Sequence, residues 1–169
     1  MMLFDFTDEL AIEQWQAVDD RVMGGVSQSE LLKASPPQVS LAIFRGTVSN
    51  RNNGGFCSVR ATLDKPVPAV AEHLSITCQN SMQWGSKSYY LNLRTNGEFD
   101  GVSYRTGFTP NENLTRHEFT ALEFAAVFRG RPVSTAPPLA FTDVRQIGLM
   151  IADAQLGPFE LGIGQIDAF

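Results

Sequence analysis

Cys57-Ser58-Val59-Arg60-Ala61-Thr62-Leu63 decides the fold class. Residues 57, 59, 61 and 63 are apolar while 58, 60 and 62 are polar or charged, which is the two-residue period of a strand with one face in a core. A helix would scatter the same apolar groups around its axis. The stretch is preceded by Asn53-Gly54-Gly55, residues suited to positive φ, so a hairpin connection to an earlier strand is expected there.

The same grammar extends in both directions. Toward the N-terminus, Val39, Leu41 and Ile43 oppose Ser40 and Ala42. Toward the C-terminus, Leu74, Ile76 and Cys78 form a run, then Tyr89, Leu91 and Leu93 alternate with Tyr90, Asn92 and Arg94. The turn-rich Asn96 to Gly101 leads into Val102, Tyr104 and Phe108 and predicts a hairpin. Ile147, Leu149 and Ile151, and after the break at Gly157-Pro158 also Phe159, Leu161 and Ile163, suit inner strands. Leu3 to Phe6 and Phe159 to Phe169 both read as strands, so the termini are expected to pair or lie close together. Helical periodicity is weak and confined to Asp8–Gln16 and His117–Phe128, predicting at most short helices or irregular edges without caps. Short strands at regular spacing without βα alternation predict an all-β fold, an antiparallel β-sandwich of jelly-roll type or a barrel.

A chain of 169 residues fits one domain, expected over 1–169. With 43% hydrophobic and 18% charged residues the composition is globular, and no apolar run is long enough for a membrane-spanning helix, so no membrane insertion is expected. The net charge of −5, with no run of Lys or Arg, disfavours nucleic acid. The first residues carry acids where a secretory signal needs bases, so a cytoplasmic location is expected. Cys57 and Cys78 sit inside apolar runs and read as buried thiols. Arg is the prevalent base, including Arg21, Arg51, Arg60, Arg94, Arg105, Arg129 and Arg131, which is compatible with an interface.

Two loops stand out. Asp19 and Asp20 beside Arg21, followed by Met23, Gly24, Gly25 and Ser27, read as an ion-pair network or capped turn first, and as a binding or cation site second. Around Asn53, Gly54 and Gly55, turn geometry explains the composition, but not Arg60, which is expected to pair with Asp19 or Asp20 across the sandwich end. Trp84, in the polar stretch Asn80–Ser88, reads as a ring folded over the sandwich end or as a stacking platform. His73 and His117 have no metal spacing, and no GxSxG, GxGxxG or Walker motif occurs. No catalytic residue, metal or cofactor is therefore expected.

Val18-Asp19-Asp20-Arg21-Val22-Met23-Gly24-Gly25-Val26-Ser27 with Trp15 before it, Phe44-Arg45-Gly46-Thr47-Val48-Ser49, and Asn52-Asn53-Gly54-Gly55-Phe56-Cys57-Ser58-Val59-Arg60 together resemble the complex I intermediate-associated protein family. Tyr90-Leu91-Asn92-Leu93-Arg94 and Gly157-Pro158-Phe159-Glu160-Leu161 extend the likeness along nearly the whole chain. It departs from the family pattern at Met82–Ser88 and at Leu122-Glu123-Phe124. The resemblance implies a galactose-binding-like β-sandwich and a non-enzymatic assembly factor for respiratory NADH dehydrogenase or a related membrane complex. The expected partner is a protein client, with carbohydrate as the alternative. The expected contact residues are Asp19, Asp20, Arg21, Met23, Gly24, Gly25, Ser27, Asn53, Gly54, Gly55, Arg60 and Trp84.

Overall fold

The computed structural model describes residues 1–35 and 41–169, with the side chains of Val22, Met23 and Asn53 left aside. The expected strand positions Val39 and Ser40, and the side chains of the site candidates Met23 and Asn53, therefore lie outside the described residues.

In chain order the strands are β1 (Met2–Asp5), β2 (Gln16–Ala17), β3 (Gln28–Lys33), β4 (Ala42–Val48), β5 (Cys57–Thr62), β6 (His73–Asn80), β7 (Tyr89–Arg94), β8 (Ser103–Phe108), β9 (Thr115–Thr120), β10 (Ala125–Phe128), β11 (Arg131–Pro132), β12 (Gln146–Ile151) and β13 (Gly157–Ala168). They form two antiparallel sheets. One runs β3-β4-β13-β6-β9 with β1 also paired to β13; the other runs β11-β10-β8-β7-β12-β5-β2. The runs of β5, β6, β7, β12 and the first part of β13 land as expected, with β12 inside one sheet and β13 inside the other, and the chain ends meet where Phe4 lies opposite Ile166. The expected phase of Leu41 and Ile43 against Ala42 is corrected: Ala42 and Phe44 of β4 belong to the main core, while Leu41 and Ile43 pack with Ala34 in a separate cluster, because all four positions are apolar and alternation alone does not say which pair faces the other sheet.

The core lies between the sheets. Cys57, Val59 and Ala61 of β5, Leu91 and Leu93 of β7 and Ile147, Leu149 and Ile151 of β12 face Leu74, Ile76 and Cys78 of β6 and Phe159, Leu161 and Ile163 of β13. Aromatic rings cluster between the layers: Phe44 and Phe159 of one sheet meet edge-on at 4.9 Å between centroids, and Tyr89 of the other sheet lies 6.3 Å from both. Such edge-to-face pairs add about 0.5–1.5 kcal/mol each beyond burial. In β13 the inward phase shifts from odd to even residues, to Ile166 and Ala168, because the register slips between Ile163 and Gln165. A bulge of this kind turns later side chains to the opposite face.

Two further expectations are corrected. The Asn53-Gly54-Gly55 segment is not a hairpin turn: β4 belongs to one sheet and β5 to the other, so the chain arches between layers. Short-range turn chemistry is the same for both connections, and only the pairing partners distinguish them. The weak helical pattern at His117–Phe128 is strand β9, a single 3-10 turn (Ala121–Glu123) and strand β10. That turn does carry a capping box between Thr120 and Glu123. The first pattern yields a short helix, α1 (Glu9–Glu13), whose N-cap Asp8 accepts from Leu10 N–H. Among the described residues no helix is long and apolar enough to cross a membrane.

Candidate functional site

The Asp19–Ser27 loop and the 49–56 arch meet at two carboxylates. Asp20 is fully buried. Its Oδ1 accepts from Ser27 N–H (2.9 Å), and its Oδ2 accepts from the Ser27 hydroxyl (2.5 Å), Gly55 N–H (2.6 Å) and Phe56 N–H (3.3 Å). The Ser27 hydroxyl in turn accepts from Ser49 N–H at 2.9 Å. Asp19 accepts from Ser29 N–H (2.8 Å), the Ser29 hydroxyl (2.6 Å) and Ser58 N–H (3.0 Å), which ties β3 of one sheet to β5 of the other. Together they clasp the end of the sandwich.

The glycines follow from this clasp. A Cβ at Gly25 would lie 2.4 Å from Asp20 Cγ and Oδ1, and one at Gly54 would lie 2.4 Å from Asp20 Oδ2. Gly24 (φ +84) and Gly55 (φ +142) supply backbone conformations that L side chains rarely adopt. In each Gly pair one residue bends the chain and the other leaves room for the carboxylate. Burial alone would raise the Asp20 pKa, but the donors from Ser27, Gly55 and Phe56 outweigh it and hold the carboxyl below its ordinary value. Burial, with Asp19 and Asp20 adding negative charge nearby, pushes the Cys57 thiol up to about 12, and burial pushes Cys78 to about 12. Both are free, inert thiols.

Arg60 does not pair with either aspartate, which is a correction to the expected ion pair. Its Nη1 donates to Phe99 O at 2.6 Å, and its guanidinium lies 4.8 Å from the Phe99 ring centroid. The reason is strand phase: Arg60 points out of β5 on the face away from the core, while both carboxylates are consumed by serine and backbone donors at the sandwich end.

That outer face of the seven-stranded sheet carries a groove of about 930 Å³. Its floor is set by register. Arg60 of β5 lies opposite Gly148 of β12, Gly148 opposite Asn92 of β7, and Asn92 opposite Arg105 of β8, so these four make one cross-strand row. Arg94 stands in the adjoining row beside Gln146. One wall is the 96–101 loop: Gln146 Nε2 donates to Asn96 O (3.0 Å) and Glu98 O (2.9 Å), and Arg94 Nη1 donates to Gly101 O (3.1 Å). Arg129 pairs with Asp100 of the same loop at 2.9 Å. Arg105 stacks on Tyr90 with its guanidinium 4.1 Å from the ring centroid, and the Tyr90 hydroxyl donates to Asp153 at 2.5 Å. Burial lowers the pKa of Arg60, helped by the nearby Arg94 charge, and burial lowers that of Arg94. Both remain guanidinium cations at neutral pH.

Of the expected contact residues, Gly54, Gly55 and Arg60 line this groove. Asp19 and Arg21 line a neighbouring hollow of about 350 Å³ that shares Val18 and Phe99 with the groove. Asp20 and Ser27 are wholly inside, beneath Gly25. Trp84 is 39% exposed in a 3-10 turn after β6 and lines neither space. Arg94, Arg105, Asn92 and Gln146 are not among the expected contact residues. Arg94 and Arg105 carry the general signal of arginine enrichment, Asn92 and Arg94 that of the family block, and Gln146 none beyond its place before the apolar run at Ile147. Among the described residues no group of three or more His, Cys, Asp or Glu is placed to hold a metal ion.

Residues 4–163 match the protein family described as complex I intermediate-associated protein 30. An uncharacterized protein of Schizosaccharomyces pombe (strain 972) is 30% identical over 184 aligned positions, covering 99% of this chain and 83% of that protein. Among solved structures, the family 11 carbohydrate-binding module from Clostridium thermocellum, in complex with a β-1,3-1,4-mixed-linked tetrasaccharide, superposes with a TM-score of 0.73 at 14% identity, over 99% of this chain and 94% of that one. An exo-β-agarase gives 0.55 at 10% identity, over 99% of this chain and 24% of that one. At such identities these likenesses show the sandwich fold alone.

Proposed function

The chain belongs to the complex I intermediate-associated protein 30 family, and from that premise we propose that it is a non-enzymatic, chaperone-like assembly factor that holds a segment of a protein client from a respiratory or related membrane complex. The observation that carries this reading is the open groove of about 930 Å³ across the outer face of the seven-stranded sheet. Its floor side chains stand on paired strands, the kind of rigid base that holds a partner without reorganising. Of its lining carboxylates, Asp100 is engaged by Arg129 and Asp153 by Tyr90, and neither histidine lines it, which leaves acid–base chemistry without a free pair. Within the clasp, Asp19, Asp20, Gly25 and Ser27 position the groove's edge, while Gly54, Gly55 and Arg60 offer contacts.

A carbohydrate occupant is favoured less. A neutral sugar packs its C–H face on an open aromatic ring, and the rings nearest the groove floor are occupied: Tyr90 by Arg105 and Phe99 by Arg60. The test is affinity capture with the tagged full chain from its own cells, beside a Met150→Trp variant that fills the groove. The expected result is stoichiometric recovery of one membrane-complex subunit by the unaltered chain and loss of it by a variant with an unchanged circular-dichroism melt. Recovery indifferent to Met150→Trp, or saccharide binding in calorimetry that the variant abolishes, overturns the reading.

A further inference from the structure

Among the described residues, three guanidinium groups on the groove floor make no ion-pair contact, although the Asp100 charge reaches Arg60 and Arg94 from farther off. Among the described residues the ion pairs are Lys33–Glu9, Arg45–Glu30, Arg116–Glu118 and Arg129–Asp100, and Arg60, Arg94 and Arg105 take part in none of them. Each is only partly accessible, and in a protein of net charge −5 carboxylates are not scarce. Arg60 and Arg94 each spend one N–H on a loop carbonyl, and Arg105 is held by a ring face. A guanidinium has five N–H donors, so most of the donor capacity of these groove-lining arginines is unspent among the described residues. The lining carries four arginines against two aspartates, so this face is locally positive on an acidic protein. Between Arg60 and Arg105 the row contains Gly148, which leaves the floor low, and Asn92, whose Oδ1 is buried without a hydrogen-bond partner.

We propose that the groove recognises an acidic, extended peptide segment of the client, laid across the strands with carboxylates on Arg60 and Arg105. This rests on the reading of the groove as the client-binding face and adds the chemistry that the client must bring. Clustered arginines recognise acidic motifs through charge-assisted, often bidentate hydrogen bonds, and their planar forks fix direction as well as charge. Adjacent strands lie about 4.8 Å apart, so three strand-to-strand steps place the Cα atoms of Arg60 and Arg105 about 14 Å apart. An extended peptide rises about 3.4 Å per residue, so about four residues cover that span, and residues i, i+2 and i+4 share one face. The preferred segment therefore carries acids at i and i+4. Its N–H groups offer Asn92 the donor that no described residue supplies.

The test is fluorescence anisotropy of the full chain with labelled peptides: Glu-Ser-Ser-Ser-Glu flanked by serines, the same peptide with Gln for Glu, and one with the two Glu adjacent. A galacturonate oligomer, acidic but not peptidic, is titrated in parallel. The spaced Glu peptide is expected to bind at least about tenfold more tightly than the Gln peptide, as one charge-assisted contact requires. It is expected to exceed the adjacent-Glu peptide as well, and to weaken with added salt. Arg60→Gln and Arg105→Gln are each expected to weaken it by about tenfold. Arg60→Lys and Arg105→Lys are expected to restore part of the loss by charge without the fork. Arg45→Gln, on the other sheet, leaves it unchanged. Equal binding of the Gln peptide, no binding of either, or indifference to both arginine substitutions in variants that melt normally overturns the proposal, as does preference for the galacturonate. If a client is captured through the groove while the peptides do not discriminate, the acidic-segment inference alone falls. If Met150→Trp leaves capture intact, the reading of the groove as the client face falls with it.

Discussion

The carboxylates of the clasp and the guanidinium groups of the groove floor are both charged and withdrawn from bulk water, yet their surroundings differ in kind. Asp20 is fully buried and accepts from Ser27, Gly55 and Phe56. Arg60, Arg94 and Arg105 share a face where no described residue offers a carboxylate within ion-pairing distance. A charge whose partners all come from its own chain holds the fold together. One whose partners are missing leaves a demand that another molecule can meet.

The contrast is open to breakage at its strongest point first. Asp20→Ala strands the N–H groups of Ser27, Gly55 and Phe56, each costing about 1–3 kcal/mol, so a loss of about 3 kcal/mol or more is expected in urea unfolding. Gly54→Ala is expected to act in the same direction, because its methyl would lie 2.4 Å from Asp20 Oδ2 and 3.0 Å from Ser49 O. A loss below about 1 kcal/mol for both would mean that the clasp is not what holds the arch.

The next effect is one of pH. The Asp20 pKa is lowered in the fold, so its contribution is fully present above the ordinary carboxylate value near pH 4 and is lost as pH falls through the lower folded value. Asp20→Asn aims an amide N–H₂ at groups that are themselves donors. The gap in unfolding free energy between Asp20→Asn and the unaltered chain is therefore expected to narrow as the pH drops from 7 to below about 4. A gap constant across that range would show that the carboxylate's charge is not involved.

The smallest effect sharpens the other side. Arg105→Met removes a partly buried charge that has no carboxylate partner among the described residues, so stability is expected to stay within about 1 kcal/mol of the unaltered chain in urea unfolding or to rise. A large loss would place Arg105 among the structural residues with Asp20.

The strand phases of β5, β6, β7, β12 and the first half of β13 were legible because a core on one face imposes a two-residue period on the sequence. The two loops marked by composition also carry unusual backbone, since the Gly pairs and adjacent acids there build the clasp around Asp20. What the residues meant there was not legible. Asp20 and Arg60 read as partners because they have opposite charge and the strand of Arg60 starts beside the Gly-rich loop, whereas one points into the sandwich end and the other out of a sheet face. The arch at Asn53-Gly54-Gly55 read as a hairpin because a local turn does not reveal which sheet the next strand joins. The even phase of Ile166 and Ala168 was hidden by a bulge that leaves no compositional mark.

By itself, the sequence determined the class of fold, the inward and outward side of most strands, and the family to which the chain belongs. Only the tertiary structure decided that Arg60, Gly148, Asn92 and Arg105 form one row. Alternation is a local consequence of backbone geometry and can be read from neighbours in the chain. Sheet order and register are set by pairing between segments far apart in sequence, so which outward residues share a surface is fixed only when the strands meet.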